Sequence, residues 1–276
     1  MTQQSSIALN DGRSIPQVGL GVWQVPDDVA TNAVQEALKV GYRHVDTAAI
    51  YENERGTGAG LRGADVPRDQ LFVTTKLWNE NQGFDQTLRA FDESLSRLGL
   101  DFVDLYLIHW PSPRRGLFVD TWKAFIRLRE EGRARSIGVS NFTVEHLDQL
   151  ISETGVAPVL NQIELHPRFQ QRDLRHAHAE RGIATQSWSP LGQGQLLTDP
   201  VITRIAEKHG KSPAQIIIRW HIDSGLVVIP KSVTPSRIAE NIDVFGFQLG
   251  ADDMEAIAQL DAADGRIGPD PMTATF

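Results

Sequence analysis

The sequence contains no cysteine. That excludes disulfides, thiolate metal sites and a cysteine nucleophile. It also lacks any apolar run of membrane-spanning length, and the stretch "MTQQSSIALNDGRSIP" has no basic-then-apolar pattern of a secretory signal. A cytoplasmic protein with no membrane partner is the expectation. Positive charge is the scarcer sign: 27 Lys and Arg stand against 35 Asp and Glu, a formal net charge of −8, and the acidic excess is scattered. A scattered acidic surface argues against nucleic acid as a partner. No Pro/Ser/Gly-rich linker or composition shift divides the 276 residues. One domain over residues 1–276 is expected, since α/β barrels reach this length as single units.

What is present is a recurring alternation. Short buried-looking runs read as strands: "QVGLG", "YRHVD", "LFVTT", "FVDLYLI", "RSIGVS", "VLNQI", "IATQSW" and "LVVIP". They are continuous rather than alternating, which suits parallel strands covered on both faces. Amphipathic helical sequence lies between them, as in "DDVATNAVQEALKVG", which opens on Asp residues expected to cap it, and in "FDQTLRAFDESLSRLGL" and "TVEHLDQLISETG". Eight such units describe a (β/α)8 TIM barrel. "SIALNDGRSIP" reads as an N-terminal hairpin turning at Asp11-Gly12 and closing the barrel bottom. The last interval holds two helical stretches, so extra helices are expected near the C-terminus. An open doubly wound sheet is the competing fold, but Gly19-Leu20-Gly21 lacks the third glycine of a dinucleotide fingerprint and runs into Trp23 rather than a helix.

Barrel chemistry sits at the C-terminal ends of the strands. There the sequence places Asp46 with Tyr51 beyond it, Lys76 with Trp78, His109 with Trp110, Ser140 with Asn141, Gln162, and Trp188. Each has a plain structural role when taken singly: a cap, a rim lysine, a hydrogen-bonded core histidine, aromatic packing. Jointly, Asp46, Tyr51, Lys76 and His109 read as a proton-donor device. A tyrosine with a pKa near ~10 is a weak acid at neutral pH. A lysine ammonium is expected to lower that value, a carboxylate to keep the lysine charged, and a histidine to orient a carbonyl oxygen and share the proton work.

"GYRHVDTAAIYENE", "LDFVDLYLIHWP" and "IPKSVTPSRIAENIDVF" resemble the three signature stretches of the aldo-keto reductases, in order. "RSIGVSN", "NQIELHP" and "SWSPLGQG" make the chain most similar to the short bacterial branch typified by 2,5-diketo-D-gluconic acid reductase. The resemblance implies reversible NADPH-dependent reduction of aldehydes and ketones by a monomeric barrel, with the catalytic tetrad on Asp46, Tyr51, Lys76 and His109. It further implies that Ser140, Asn141 and Gln162 hold the nicotinamide carboxamide, a group needing both donors and acceptors, and that Trp188 stacks on the ring. By the same likeness Ser189, Leu191 and Gln193 contact the cofactor from the "SPLGQG" loop, whose glycines suit a mobile flap over the pyrophosphate. Thr234-Pro235 reads as a helix start on its own chemistry, and a helix N-terminus favours phosphate. Lys231, Ser232, Val233 and Thr234 belong to that cluster. The family position of Arg237 implies a 2′-phosphate and hence NADP, with Glu240 and Asn241 facing adenine.

Trp23, Trp78, His109 and Trp110 are the expected substrate contacts, suited to a small carbonyl compound such as a dicarbonyl, a keto ester or a keto-sugar acid. The loop "PSPRRGLF" and the tail "DGRIGPDPMTATF" are short, which predicts an open site. Arg114, Arg115 and Arg266 are candidate acid-binding groups, and Glu52 a candidate for tuning substrate choice. Two rival classes are a metal hydrolase and a cofactor-binding sensor with little turnover. Asp46, His109, Glu164 and His166 could ligate a metal. However, no His-x-His ends the first strand, and His176 and His178 lie two apart on a helix; no metal is expected. The intact tetrad points away from a sensor.

Overall fold

The structure is a computed structural model and describes residues 4–275. Strands β1 (Ser6–Ala8) and β2 (Ser14–Pro16) form an antiparallel hairpin in which Ile7 faces Ile15. Then follow β3 (Leu20–Gly21), α1 (Asp27–Lys39), β4 (His44–Asp46), α2 (Glu54–Arg62), β5 (Phe72–Leu77), α3 (Phe84–Leu98), β6 (Val103–Ile108), α4 (Phe118–Glu130), β7 (Ala134–Ser140) and α5 (Val144–Thr154). The second half continues with β8 (Leu160–Glu164), α6 (Arg172–Glu180), β9 (Ala184–Trp188), α7 (Pro200–His209), α8 (Pro213–Asp223), β10 (Val227–Val228), α9 (Pro235–Ile242) and α10 (Ala251–Ala258).

Strands β3 to β10 pair in parallel in chain order. Parallel bridges Val18↔Val228 and Gly21↔Lys231 then join the first strand to the last, with Gly19 N–H donating to the Val228 carbonyl at 2.8 Å. The sheet is therefore a closed (β/α)8 barrel and not the open sheet. The glycines that fail as a dinucleotide fingerprint sit on this seam: a Cβ at Gly21 would lie 2.9 Å from the Ile229 carbonyl oxygen, and one at Gly19 would lie 2.5 Å from His44 Nδ1.

The hairpin lies across the N-terminal ends of the strands. Asn10 Nδ2 donates to the Pro158 carbonyl and Ser136 Oγ to Asp11 Oδ2. Leu9 and Ile15 pack with Phe72, Leu105, Leu107, Leu160 and Val227 inside the barrel. That apolar plug leaves only the opposite, C-terminal mouth open to solvent and polar chemistry. A separate layer between barrel and helices includes Phe91, Tyr106, Trp122 and Phe125.

Helix α1 buries Ala30, Ala33, Val34, Ala37 and Leu38, a stripe of helical period turned toward the barrel. Its opening aspartates do not cap it. Pro26 occupies the N-cap position, and Asp27 Oδ1 instead accepts the Gly56 N–H of α2 at 2.6 Å. The two helices approach closely because a glycine of α2 meets α1, a Cβ at Gly56 lying 1.8 Å from the Asp27 carbonyl oxygen, and a second glycine lets α2 meet α3. A Cβ at Gly58 would lie 2.0 Å from the Leu98 carbonyl oxygen at the end of α3. Alanine is the better helix former by up to ~1 kcal/mol, but a backbone overlap of this size cannot be relieved by turning a side chain. Gly58→Ala is expected to lower stability by ~1–3 kcal/mol, read as a lower denaturant midpoint at unchanged slope.

Candidate active site

Strand β4 carries His44 and Asp46 two residues apart, so both point to the same, inner face. The chain leaves Asp46 through a 3-10 turn, Ala49–Tyr51, and reverses at Glu52, whose φ of 56° is left-handed. Asn53 then turns back into the protein and is fully buried. Its Nδ2 donates to the carbonyls of Val22 and Val25, and its Oδ1 accepts from Thr47 Oγ1. Glu54 follows, equally buried, accepting from Thr75 Oγ1 at 2.6 Å and Arg97 Nε at 2.7 Å. Asn53 and Glu54 thus fix the turn that presents Tyr51. Sequence reasoning passed over them, although a buried Asn inside "YENE" carries no local signal except its flanking carboxylates.

Across the mouth, Lys76 at the end of β5 is completely buried. Its ammonium donates to Asp46 Oδ1 at 2.5 Å, the Thr47 carbonyl at 3.0 Å and Tyr51 Oη at 3.3 Å. All three of its donors are used. Gln162 Nε2 reaches over from β8 to Asp46 Oδ2 at 2.8 Å. The His109 ring stands edge-on to Tyr51, 5.6 Å between centroids, and to Trp78, 5.3 Å. The Tyr51 oxygen accepts from Lys76, which leaves its own O–H free to point into the cleft.

The electrostatics depart from expectation in one respect. Tyr51 is held above, not below, its ordinary value: burial is the largest cause, and Lys76 opposes it without prevailing. The phenol therefore stays protonated at neutral pH. Burial also works against the Lys76 ammonium, yet Asp46 and Tyr51 together hold it above the usual lysine range. Burial, aided by Lys76, keeps His109 well below the usual histidine range, so its imidazole is neutral at pH 7.

These groups open into a cleft of about 1430 Å³. Every residue expected from sequence to act in catalysis, hold the cofactor or wall the substrate lines it except Lys76, which is bonded to Asp46 and Tyr51; the outlying candidates Glu52, Arg114, Arg115 and Arg266 do not. Ser140 Oγ donates to the Gln162 carbonyl, Asn141 Nδ2 to the His109 carbonyl, and Trp188 Nε1 to Asn141 Oδ1 at 2.8 Å. This chain of bonds sets the Trp188 indole as a shelf beside the tetrad. Asn141 and Ser189 both have left-handed φ, 64° and 47°, where the chain turns sharply out of β7 and β9. At the far end Thr234 is the N-cap residue of α9 and its N–H donates to Ser232 Oγ. Lys231, Val233 and Arg237 are exposed there, and neither Lys231 nor Arg237 forms an ion pair among the described residues.

Other expectations are corrected. Glu52 is exposed and outside the cleft lining. Arg266 stacks its guanidinium 4.6 Å over the Phe169 ring, and Arg115 donates to the Glu80 carbonyl. The tail does not leave the site uncovered, because Ile267, Gly268 and Pro269 form part of the cleft wall. Glu164 is bonded to that tail and to His166 rather than grouped with Asp46 and His109. Gln24, Ile50 and the α8 start at Ser212–Ala214 also line the cleft; nothing in their local sequence marks them, since their place depends on loops folding over the mouth.

The Aldo/keto reductase family pattern matches residues 16–262. A protein named aldo-keto reductase from Mycolicibacterium smegmatis (strain ATCC 700084 / mc(2)155) is 61% identical over 270 residues, which is 98% of each chain. Methylglyoxal reductase DkgA of Escherichia coli (strain K12) is 54% identical over 273 residues, again 98% of each. The crystal structure of a Gox0644 mutant in complex with NADPH superposes with a TM-score of 0.96 at 56% identity, covering 99% of this chain and 100% of that one. With its closed barrel and its tyrosine, lysine, aspartate and histidine at one mouth, this chain belongs to the aldo/keto reductase family.

Proposed function

We propose that the protein is a cytoplasmic, monomeric, single-domain NADPH-dependent reductase of small aldehydes and ketones, with dicarbonyls such as methylglyoxal as its first substrate class and keto esters and keto-sugar acids as the next. The observation that carries this is the Tyr51 hydroxyl, which faces the cleft and accepts a hydrogen bond from a lysine that a buried aspartate keeps charged. Among the described residues no helix is long and apolar enough to cross a membrane.

The residues present fit a dinucleotide. A cleft of about 1430 Å³ exceeds the ~300–1,000 Å³ of an ordinary small-ligand pocket. It runs from the tetrad past an indole shelf to a helix N-terminus flanked by two unneutralised cations. Ser140, Asn141 and Gln162 would hold the carboxamide, Trp188 the ring face, and Ser189, Leu191 and Gln193 the diphosphate. Lys231, Ser232, Val233, Thr234 and Arg237 would hold the 2′-phosphate end, with Glu240 and Asn241 at the adenine. When bound, NADPH supplies a hydride.

The chain's own residues supply the rest. Neutral His109 directs a carbonyl oxygen toward Tyr51, with Trp23, Trp78 and Trp110 walling the substrate. Tyr51 gives its proton to the alkoxide oxygen as charge develops there. The phenolate left behind is stabilised by Lys76, whose charge Asp46 compensates and whose direction Gln162 and Thr47 help fix. A raised Tyr51 pKa suits this order of events: the proton is retained until an alkoxide, a far stronger base, arrives.

Purified protein assayed by NADPH absorbance against methylglyoxal, α-diketones, keto esters and keto-sugar acids tests the reading; no consumption with any of them sinks it. Arg237 offers a second check. Losing one charge-assisted contact to a phosphate is expected to weaken NADPH by about tenfold or more in Arg237→Ala, with NADH affinity nearly unchanged. Equal weakening of both would remove Arg237 from the 2′-phosphate site.

A further inference from the structure

Glu164 ends β8 inside the barrel at 1% exposure, and no role above uses it. A buried carboxylate is costly unless N–H donors surround it. Here three converge. The Ile267 amide donates to Oε1 at 2.6 Å, the Gly268 amide to Oε2 at 2.8 Å, and His166 Nε2 lies 3.1 Å from Oε1. Two of the three belong to the C-terminal tail, more than a hundred residues away, at the segment that walls the cleft.

The same segment touches the shelf. Glu164 pairs in register with Trp188 on the neighbouring strand. Gly268 is seated between them: a Cβ there would lie 2.5 Å from Trp188 Cη2 and 2.9 Å from Glu164 Oε2. From the barrel side, Gln171 Nε2 braces the Glu164 carbonyl at 2.5 Å. Preceding tail residues are tied to a different loop, through the Ala262 N–H to the Arg168 carbonyl and Arg266 on Phe169. Glu164 is therefore the group that brings the tail inward to the cleft.

We propose that Glu164 is a positioning residue: its two carboxylate oxygens hold Ile267 and Gly268 across the mouth and against Trp188, which sets the size of carbonyl compound admitted. The proposal rests on the carbonyl-reducing reading of the cleft. Glutamine has the same shape but replaces one oxygen with an NH₂ that meets a tail N–H, donor against donor. One tail bond is lost and the other weakened.

Trypsin tests the tether without any turnover, because the Arg266–Ile267 bond adjoins the held amides. In full-length Glu164→Gln, cleavage at that bond is expected to run about tenfold faster, the released tail becoming more populated by the worth of one charge-assisted hydrogen bond. With NADPH saturating, KM for methylglyoxal is expected to rise by a similar ~tenfold with kcat within about twofold, since the bonds lost run from the tail to Glu164 and not to a tetrad residue. Selectivity should shift toward bulkier aldehydes. Gly268→Ala pushes the tail off the same seat from its own side, since a Cβ there would lie 2.5 Å from Trp188 Cη2 and 2.9 Å from Glu164 Oε2, and it leaves the Arg266–Ile267 bond open to trypsin. It is expected to reproduce both effects, and it carries the test if Glu164→Gln does not fold. Wild-type cleavage rates in both variants overturn the proposal. So does faster cleavage with KM and size selectivity unchanged. If the wild-type protein reduces no carbonyl compound, the functional reading fails on that result alone, while the trypsin rates still decide whether Glu164 holds the tail.

Discussion

Tyr51→Phe is expected to lower carbonyl reduction by ~10²–10⁴-fold, the usual worth of a positioned general acid, while NADPH binding stays within about twofold. The substitution removes one oxygen and keeps the ring that packs edge-on against His109. The donors left at that point are poor acids. His109 is neutral, held down by burial and by Lys76, and the one Lys76 N–H that loses its Tyr51 partner belongs to an ammonium held above the usual lysine range, its other two donors staying on Asp46 and Thr47. The measurement is single-turnover NADPH oxidation with saturating methylglyoxal, with cofactor binding followed separately by quenching of tryptophan fluorescence. Turnover close to wild type would falsify the acid assignment. Parallel loss of cofactor binding would instead show that Tyr51 supports the cleft itself.

Lys76→Met is expected to be as damaging to turnover and, unlike the tyrosine change, to destabilise the fold. Asp46 is 1% exposed and Lys76 is its only cationic partner among the described residues. Breaking such a pair from one side strands a buried charge, at ~3–5 kcal/mol. Adding Asp46→Asn removes that charge, so the double variant should regain most of the stability and none of the activity. Recovery of both together would mean that the lysine acts through folding alone. The pH dependence has a definite sign. Lys76 is held above its ordinary value of 10.5, so its contribution is fully present below about pH 10 and is lost only as pH rises through the still higher folded value. The lysine's own share of the stability gap between wild type and Lys76→Met should therefore be constant through neutral pH and narrow in strong alkali.

Much of the frame was legible without coordinates because it is written in local periods. Strand and helix alternation follows from burial on one or both faces, and α1 shows it cleanly in Ala30, Ala33, Val34, Ala37 and Leu38. Asp46, Lys76, His109 and Gln162 could be placed at one mouth because each lies at or near the C-terminal end of a strand, and parallel strands of a barrel end together. The hairpin turn at Asp11-Gly12 was readable from its dipeptide.

What stayed hidden depends on what lies opposite. The aspartates opening α1 look like caps in sequence, but Asp27 binds a glycine amide on the next helix. The direction of the Tyr51 shift is a competition between burial and one cation, and only the folded depth of the ring says which prevails. Glu164 resembles a spare strand-end ligand until the tail is seen folded back onto it. By itself, then, the chain's sequence determined the alternation of elements, the chemistry available at each strand end, and its family likeness. Closure of the barrel at Val18 and Val228, the charge state of the tetrad, and the tail's seat on Trp188 were decided by tertiary structure alone. Each is a contact between residues distant in the chain, and its energy depends on separation and solvent exclusion, which no local pattern encodes.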